Sequence, residues 1–218
     1  MSEQKKIAVV LSGCGVYDGA EIHEATLTML AIAKSGASYT LFAPNVDQFH
    51  VINHLTGEVM NESRNVLVES ARIARGNVSD LKEYNAADFD ALVFPGGFGA
   101  AKNLSTFAFD GHKCSVNQDV ATAIQSTASA RKPIGALCIS PAVITRVLGN
   151  VEVTIGNDSG TAGAIENMGG KHTQTTHGEI VIDRNHKVVT TPCYMLDATI
   201  DQIEAGANKV IETILSMI

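Results

Sequence analysis

The stretch IGALCISPA, residues 134–142, joins a predicted strand directly to a predicted helix. Small or apolar residues lead up to Cys138, and Pro141 follows three positions later. Proline suits the first turn of a helix, where a missing backbone N–H costs nothing. An apolar strand that passes straight into a helix is the repeating unit of α/β proteins, so this stretch predicts a mainly parallel sheet.

The rest of the 218-residue chain repeats that pattern. Continuously apolar runs are typical of strands buried on both faces, and glycines follow the helical segments. We therefore predict an α/β fold with a doubly wound, mainly parallel sheet, helices on both faces, and a single domain over residues 1–218. The predicted strands cover 5–12, 38–44, 89–97, 134–138 and 151–156, with a hairpin over 179–192 that turns at 183–187; the predicted helices cover 19–36, 63–76, 116–132, 141–149 and 198–217.

Composition narrows the class of protein. The formal net charge is -7, and no basic run offsets it, so nucleic acid and anionic membranes are not expected partners. The sequence contains no apolar run of the length that crosses a bilayer, and its first residues do not resemble a signal peptide. We expect a soluble, cytoplasmic protein.

The four cysteines, Cys14, Cys114, Cys138 and Cys193, are scattered and form no C-x-x-C pair. Free thiols in a reducing compartment are the expected state, and no metal or cofactor is expected. A zinc site assembled in space from some of these cysteines and histidines remains an alternative.

Cys138 is a candidate nucleophile. Small residues lie two positions before and after it, at Ala136 and Ser140, as a sharp strand-to-helix turn requires. The following helix is expected to lower the pKa of the thiol through its N-terminal partial charge. The alternative is a cysteine that only fills space at the end of a core strand.

Glycine-rich loops follow two other predicted strands. In FPGGFGAAKNLS (94–105), Gly96, Gly97 and Gly99 allow a sharp turn that aims backbone N–H groups at a ligand, as in an oxyanion hole; an ordinary flexible loop is the alternative. In SGCGVYDGAEIHE (12–24), the spacing of glycines also invites a dinucleotide-binding interpretation. That interpretation stays a lesser alternative, because the second strand ends FAPN without an acid for a ribose.

The helix after the first loop carries two acids on one face near its start, Glu21 and Glu24. For Glu21 we predict a role in stabilising the helix N-terminus. Glu24 lies among apolar residues, so its carboxyl is expected to be desolvated, with a raised pKa, and able to hold a catalytic proton. His23 is expected on the helix surface or in packing, and Cys14 either at the mouth of a pocket or in packing.

GAEIHEAT, PGGFGAAKNLS and GALCISPA, in this order and spacing, resemble the PfpI-type branch of the class I glutamine-amidotransferase-like superfamily. SGCGVYDGAEIHEA, INHLTGE and TTPCYML are more narrowly similar to the bacterial ElbB family, labelled isoprenoid-biosynthesis or amidotransferase-like proteins. The resemblance implies a flavodoxin-like fold, a homodimer, a reactive cysteine at Cys138 on a nucleophile elbow, and a helix glutamate at Glu24. It also implies a cofactor-independent, glyoxalase III-like lyase activity.

The sequence departs from the superfamily where a catalytic histidine would stand. Glutamine amidotransferases carry a histidine and a glutamate around a proline late in the domain, whereas this chain has Thr191-Pro192-Cys193. Other PfpI-type proteins have a histidine directly after the cysteine, and here that residue is Ile139. Asp158 falls where some relatives place a histidine and is a candidate to orient water or substrate. The downstream histidines are His172, His177 and His186, of which the last two are expected to be exposed.

The leading functional hypothesis is conversion of glyoxal, or a related small dicarbonyl, to a hydroxy acid such as glycolate. Cys138 would form a hemithioacetal, backbone N–H groups at Gly97 and Ile139 in the loop with Gly96 would hold the oxyanion, and Glu24 would shuttle protons. The alternatives are a redox sensor based on Cys138, a protein deglycase, and a glutaminase subunit, the last disfavoured by the missing histidine.

Overall fold

Apolar strands form the centre of the computed structural model, which describes residues 4–218; the first three residues of the predicted domain lie outside that range. The strands are β1 Lys6–Val10, β2 Ser38–Ala43, β3 Ser79–Asp80, β4 Ala91–Phe94, β5 Ile134–Leu137, β6 Glu152–Val153, β7 Lys171–His172, β8 Val181–Asp183 and β9 Val188–Thr191. Seven of them form one sheet in the order β3-β2-β1-β4-β5-β9-β8. Only β8 runs antiparallel, against β9, while β6 and β7 form a separate pair.

Helices cover both faces of this sheet, which confirms the predicted fold class. They are α1 Ile22–Lys34, α2 Val66–Ile73, α3 Phe98–Lys102, α4 Phe107–Asp110, α5 Gln118–Ser129, α6 Ser140–Leu148, α7 Ser159–Asn167 and α8 Ile200–Ser216. Residues of α1, α2 and α8 share one buried cluster, and residues of α3, α5, α6 and α7 share the other. Within residues 4–218, no helix combines the length and apolar character needed to cross a bilayer.

Strand β1, which lies inside the sheet, shows why the sequence of a strand covered on both faces is an unbroken apolar run. Along β1, Ile7 and Val9 belong to one core cluster, whereas Ala8 and Val10 belong to the other. All four are at most 1% exposed. Because successive side chains of a strand point to opposite faces, a strand covered by helices on both sides needs apolar residues at every position.

The strand predicted over 151–156 is wrong in length. Only Glu152–Val153 is a strand, and it pairs with β7 rather than with the main sheet. Side-chain hydroxyls interrupt the pattern beyond it, because the N–H of Thr154 donates to Oγ1 of Thr190 and the N–H of Gly156 donates to Oγ1 of Thr154. A buried N–H that finds a side-chain acceptor has no need of a neighbouring strand.

The order of the strands determines where a ligand site can form. From β1 the chain moves outward through β2 and β3, then returns to place β4 on the other side of β1. Loops at the carboxyl ends of β1 and β4 therefore leave the sheet in opposite directions and open a crevice between them. The candidate residues after β1, β4 and β5 all lie at this edge.

Gly99→Ala is expected to destabilise the protein by about 1–3 kcal/mol, the usual cost of overpacking a core. Gly99 lies in α3, against the end of β1, and a methyl group there would stand 2.5 Å from the Ser12 carbonyl oxygen and 2.6 Å from the Gly19 carbonyl carbon. Both of these atoms belong to the backbone, which cannot move aside as the end of a flexible side chain can. Urea denaturation followed by circular dichroism measures the free energy of unfolding.

Gly163→Ala is the matched control, since Gly163 is also helical but has no other atom within 4 Å of an added methyl group. There alanine is expected to stabilise the protein by up to about 1 kcal/mol, because it restricts the unfolded chain more than glycine does. Equal effects of the two substitutions would contradict the close packing of α3 on the first loop.

Candidate active site

Cys138 occupies the turn between β5 and α6. Its φ of 61° lies in the left-handed region, which residues with side chains seldom adopt. Its N–H donates to the Thr191 carbonyl oxygen at 3.0 Å, and the Ser140 hydroxyl donates to the Pro95 carbonyl oxygen at 2.7 Å. The strained turn is therefore held from both neighbouring strands, an arrangement typical of a presented nucleophile.

The carboxyl group of Glu24 lies fully buried beside this cysteine. Its Oε2 accepts the Gly96 N–H at 2.9 Å, and its Oε1 accepts the Tyr194 N–H at 3.2 Å. The Cys138 sulfur lies beside this carboxyl, since a methyl group added at Gly96 would touch both Oε2 and Sγ. Glu21 caps α1, as predicted for an acid at a helix N-terminus, because its carboxylate accepts the Glu24 N–H at 2.7 Å.

Burial raises the pKa of both reactive groups. Desolvation, with a smaller effect from the charge of Glu21, raises the pKa of Glu24 to about 8. The pKa of the Cys138 thiol rises well above its ordinary value, first through desolvation and then through the neighbouring Glu24 charge. The expected lowering of the thiol pKa is therefore wrong. Hydrogen bonds from the Gly97 and Ile139 N–H groups do lower it, but burial of the sulfur outweighs them.

Two glycines bring the loop after β4 against the cysteine. A methyl group on Gly96 would meet the Cys138 side chain and stand 2.6 Å from Oε2 of Glu24. Gly97 has a φ of 98°, and a methyl group there would strike the backbone of Glu21 and Gly19. Gly96 thus directs its N–H to Glu24, whereas the N–H groups of Gly97 and Ile139 point at the sulfur.

A cavity of about 440 Å³ opens above the sulfur. The Cys138 side chain lies at its inner wall and is 7% exposed. Most of the remaining wall comes from apolar residues of the first loop, α3, α4 and the segment after β9. The lining residues are Val16, Gly97, Phe98, Ala101, Phe107, Ala108, Cys138, Ile139, Asp158, Thr161, Tyr194 and Met195.

Asp158 belongs to this wall but is occupied as a helix cap. It precedes α7, and its Oδ1 accepts the Thr161 N–H at 2.7 Å. Hydrogen bonds from the Thr161 hydroxyl and, secondly, from this N–H lower the pKa of Asp158 below its ordinary value, so the group stays ionised at neutral pH. The residue is exposed, so it places a negative charge on the cavity wall.

The histidines do not complete a triad with Cys138. Nε2 of His177 lies 2.9 Å from the Asp197 carbonyl oxygen. Nε2 of His172 accepts the Ile155 N–H at 3.4 Å. His186 pairs with Asp183 at 3.1 Å and is half-buried, so its predicted exposure is wrong. His23 is exposed, as predicted for the helix surface, and its Nδ1 lies 2.9 Å from the Tyr194 hydroxyl.

Sequence reasoning missed Tyr194 as a site residue, although its N–H contacts Glu24 and its side chain lines the cavity. The available signal was its place at the carboxyl end of a strand beside β5. Cys193, the residue before it, is buried and has a φ of 45°. A second turn in the left-handed region thus delivers the Tyr194 N–H to the carboxyl group.

The first glycine-rich loop does not present its N–H groups to a phosphate. Gly13 donates to the Ser70 hydroxyl, Gly15 to the Ala20 carbonyl oxygen, and Tyr17 to His54. Cys14, expected at the pocket mouth or in packing, is half-buried and is not among the cavity-lining residues. In the described part of the chain, no group of three histidine, cysteine or acidic residues is placed to hold a metal ion.

Glu24→Gln is expected to stabilise the protein more at pH 8 than at pH 6. A carboxyl with a pKa of about 8 in the folded state and 4.5 in the unfolded state keeps a proton that unfolding releases. Wild-type stability therefore falls as the pH rises between these values, by about 2 kcal/mol from pH 6 to pH 8, and glutamine removes this effect. Urea denaturation at both pH values measures it.

Exposed Glu166 provides the control, since Glu166→Gln is expected to change the free energy of unfolding little at either pH. If the difference between Glu24→Gln and wild type were the same at pH 6 and pH 8, the buried carboxyl would not have the raised pKa.

Curated relatives match nearly the whole chain. A human glutamine amidotransferase-like class 1 domain-containing protein 3, mitochondrial, is 47% identical, covering 97% of this chain and 83% of its own length. A rat ES1 protein homolog, mitochondrial, is 46% identical, covering 97% of this chain and 84% of its own length. No family model matches the chain.

Solved structures share the fold. An isoprenoid biosynthesis protein with an amidotransferase-like domain from Ehrlichia chaffeensis is 39% identical, with a TM-score of 0.92 over 98% of this chain and 99% of its own. Glyoxalase III from Candida albicans has a TM-score of 0.64 at 14% identity, over 98% of this chain and 97% of its own, which shows a shared fold alone. On the identity and coverage of its curated relatives, the chain belongs to the ES1 family of glutamine amidotransferase-like class 1 domain proteins.

Proposed function

We propose that this protein is a cofactor-independent glyoxalase that converts glyoxal, or a related 1,2-dicarbonyl, to a hydroxy acid such as glycolate. The observation that carries the proposal is the buried Glu24 carboxyl beside the Cys138 sulfur at the inner end of a cavity. A nucleophile and an acid–base group in direct contact can both add to a carbonyl and move protons on the adduct.

The first step is addition of sulfur to one aldehyde carbon. With Glu24 in its carboxylate form, the thiol proton passes to Glu24 and then to the carbonyl oxygen, so that a neutral hemithioacetal forms. The Gly97 and Ile139 N–H groups, which point at the sulfur, stand next to the oxygen that becomes negative during this addition. Fixed N–H donors in a site that excludes water stabilise such an oxyanion without reorganisation.

The second stage moves a proton between the two carbons. The Glu24 carboxylate removes the hydrogen of the hemithioacetal carbon as a proton, giving an enediolate, and returns it to the neighbouring carbon. The hydroxyl proton of the hemithioacetal moves to the former carbonyl oxygen. The product is a thioester of glycolic acid on Cys138. Water then adds to the thioester, glycolate leaves, and the thiol recovers its proton. The overall reaction adds one water to one glyoxal and needs no oxidant or reductant.

The surroundings of Glu24 suit this shuttle. A carboxyl with a pKa of about 8 holds its proton near neutral pH yet releases it within about one pH unit, whereas an exposed carboxylate is a weak base. The shared fold with glyoxalase III is consistent with the proposal, although at 14% identity it transfers no residue roles.

A redox sensor based on Cys138 is the main alternative. Oxidation by peroxide depends on thiolate and on exposure of the sulfur. The Cys138 thiol has a raised pKa and is 7% exposed, so both conditions count against rapid oxidation. The same features are compatible with catalysis, because the carboxylate form of Glu24 takes the thiol proton as the sulfur adds to a substrate carbonyl.

Three narrower expectations stay predictions. They are membership of the ElbB branch, a homodimer, and a cytoplasmic location. The curated relatives bear mitochondrial names, so they do not support the last of these. Light scattering coupled to size exclusion tests the dimer.

Wild-type protein is expected to form glycolate from glyoxal in Tris-free buffer without added cofactor, while Cys138→Ser and Glu24→Gln each lose at least about 100-fold in kcat, the usual contribution of a nucleophile or acid–base group. Glycolate is measured by chromatography against a protein-free blank. Cys114→Ser, at a buried cysteine outside the cavity, is the control and should retain activity. Normal turnover by Glu24→Gln would exclude the proposed shuttle.

The rate is also expected to rise with pH through about 8, because the carboxylate form of Glu24 is the base that starts each proton transfer. Initial rates between pH 6 and 9 measure kcat/KM, with the spontaneous reaction subtracted at each pH. The residual rate of Glu24→Gln should lack this rise. A wild-type rate that falls over the same range would contradict the assignment of Glu24 as the base.

A further inference from the structure

The cavity above Cys138 is much larger than glyoxal. One water molecule occupies about 30 Å³ of liquid, so the four non-hydrogen atoms of glyoxal fill on the order of a quarter of the 440 Å³ at most. Cavities of this size ordinarily hold ligands with ten or more non-hydrogen atoms. A dicarbonyl that fills the space must therefore carry a substantial group beyond its two carbonyl carbons.

The wall of the cavity indicates the character of that group. Phe98, Ala101, Phe107 and Met195 contribute apolar surface. The Phe98 ring remains 49% exposed at the start of α3. An aromatic ring exposed on a cavity wall gains free energy when an apolar ligand covers it. The group is thus apolar.

The charges of the wall exclude an anionic group. Among the described lining residues, Asp158 is the ionised side chain, and neither lysine nor arginine contributes. Burial raises the pKa of Tyr194 above its ordinary value, so its phenol is neutral. Lys102, the nearby cation, directs its Nζ to the Tyr17 carbonyl oxygen at 2.8 Å. This ammonium stands over the Phe98 ring, 5.2 Å from its centroid, but is already engaged by that carbonyl oxygen, whereas a phosphorylated or carboxylated substrate would meet repulsion from Asp158.

Resting on the proposed function, we infer that the preferred substrate class is a neutral 2-oxoaldehyde that carries an apolar group of about phenyl size. The Cys138 sulfur bonds to the aldehyde carbon, and the apolar group lies against Phe98 and Phe107. The aldehyde hydrogen moves as a proton through Glu24 to the neighbouring carbon. Water then releases the thioester as a 2-hydroxy acid, so the reaction again adds one water and needs no oxidant.

The test compares phenylglyoxal, methylglyoxal and glyoxal as substrates of the wild-type protein by initial rates. We expect kcat/KM for phenylglyoxal to exceed that for glyoxal at least about tenfold, with methylglyoxal between them, because the larger group buries more apolar surface. Equal values for phenylglyoxal and glyoxal would overturn the inference and leave the proposed function standing.

Phe98→Ala is expected to lower kcat/KM for phenylglyoxal about tenfold or more while changing that for glyoxal by less than about threefold. Phe109→Ala is the matched control, since Phe109 is a partly exposed ring of α4 that stacks on Phe49 rather than lining the cavity. It should affect neither substrate. A Phe98→Ala variant that loses both substrates equally would contradict an apolar subsite at this ring.

Binding separates this inference from the proposed function. Acetophenone, a neutral and less reactive mimic, is titrated calorimetrically into Cys138→Ser protein with and without Phe98→Ala. We expect the Kd to rise at least about fivefold when the ring is removed, whether or not any dicarbonyl is turned over. An unchanged Kd would overturn the inference. Ring-dependent binding without turnover would reject the glyoxalase activity and retain the apolar subsite.

Discussion

The buried carboxyl of Glu24 connects the carboxyl ends of four strands, β1, β4, β5 and β9. Glu24 belongs to α1, the helix that follows β1. Its carboxyl accepts one N–H from the loop after β4 and another from the segment after β9, and it contacts the cysteine after β5. Each of these backbone donors would be left unsatisfied in the interior without the carboxyl oxygens. The geometry of the candidate site therefore depends on a single side chain that also has the chemistry to move a proton.

Burial of that carboxyl sets the electrostatics of the site. Both Glu24 and Cys138 lose water, and the charge of Glu24 disfavours a thiolate, so the pair is uncharged near neutral pH. A neutral resting pair avoids the cost of a buried ion. Charge develops only as a substrate carbonyl accepts electrons from sulfur, at a place where N–H groups of Gly97 and Ile139 already stand.

The parts of the fold that sequence reasoning predicted are those that periodicity controls. The strands at 5–12, 89–97 and 134–138 correspond to β1, β4 and β5, because burial on both faces leaves a continuous apolar run. The strand at 38–44 corresponds to β2, of which only the second half is buried. Helix α7 was missed, since two of its nine residues are glycine and the segment shows little amphipathic pattern. Strand β3 is two residues long, too short to leave a periodic signal.

For the site, the sequence indicated which residues come together but not the pKa of the cysteine thiol. Strand ends of a parallel sheet share one edge, so Cys138, Glu24 and the glycine loop could be placed together from topology alone. The pKa of the thiol could not, since it depends on how completely the folded chain removes water from the sulfur. Here the sulfur is almost inaccessible, and the two N–H groups that favour its charge are too few to compensate.

The absence of a histidine directly after Cys138 is consistent with the same burial of the site. A histidine directly after the cysteine would stabilise a thiolate as an ion pair, and such a pair needs water or further partners to offset its burial. Ile139 occupies that position and lines an apolar cavity, where a charged imidazole would be poorly solvated. A carboxyl and a thiol that each keep a proton need no separated charges at rest. The apolar cavity and this uncharged pair are thus mutually consistent, because each is compatible with a site that holds little water.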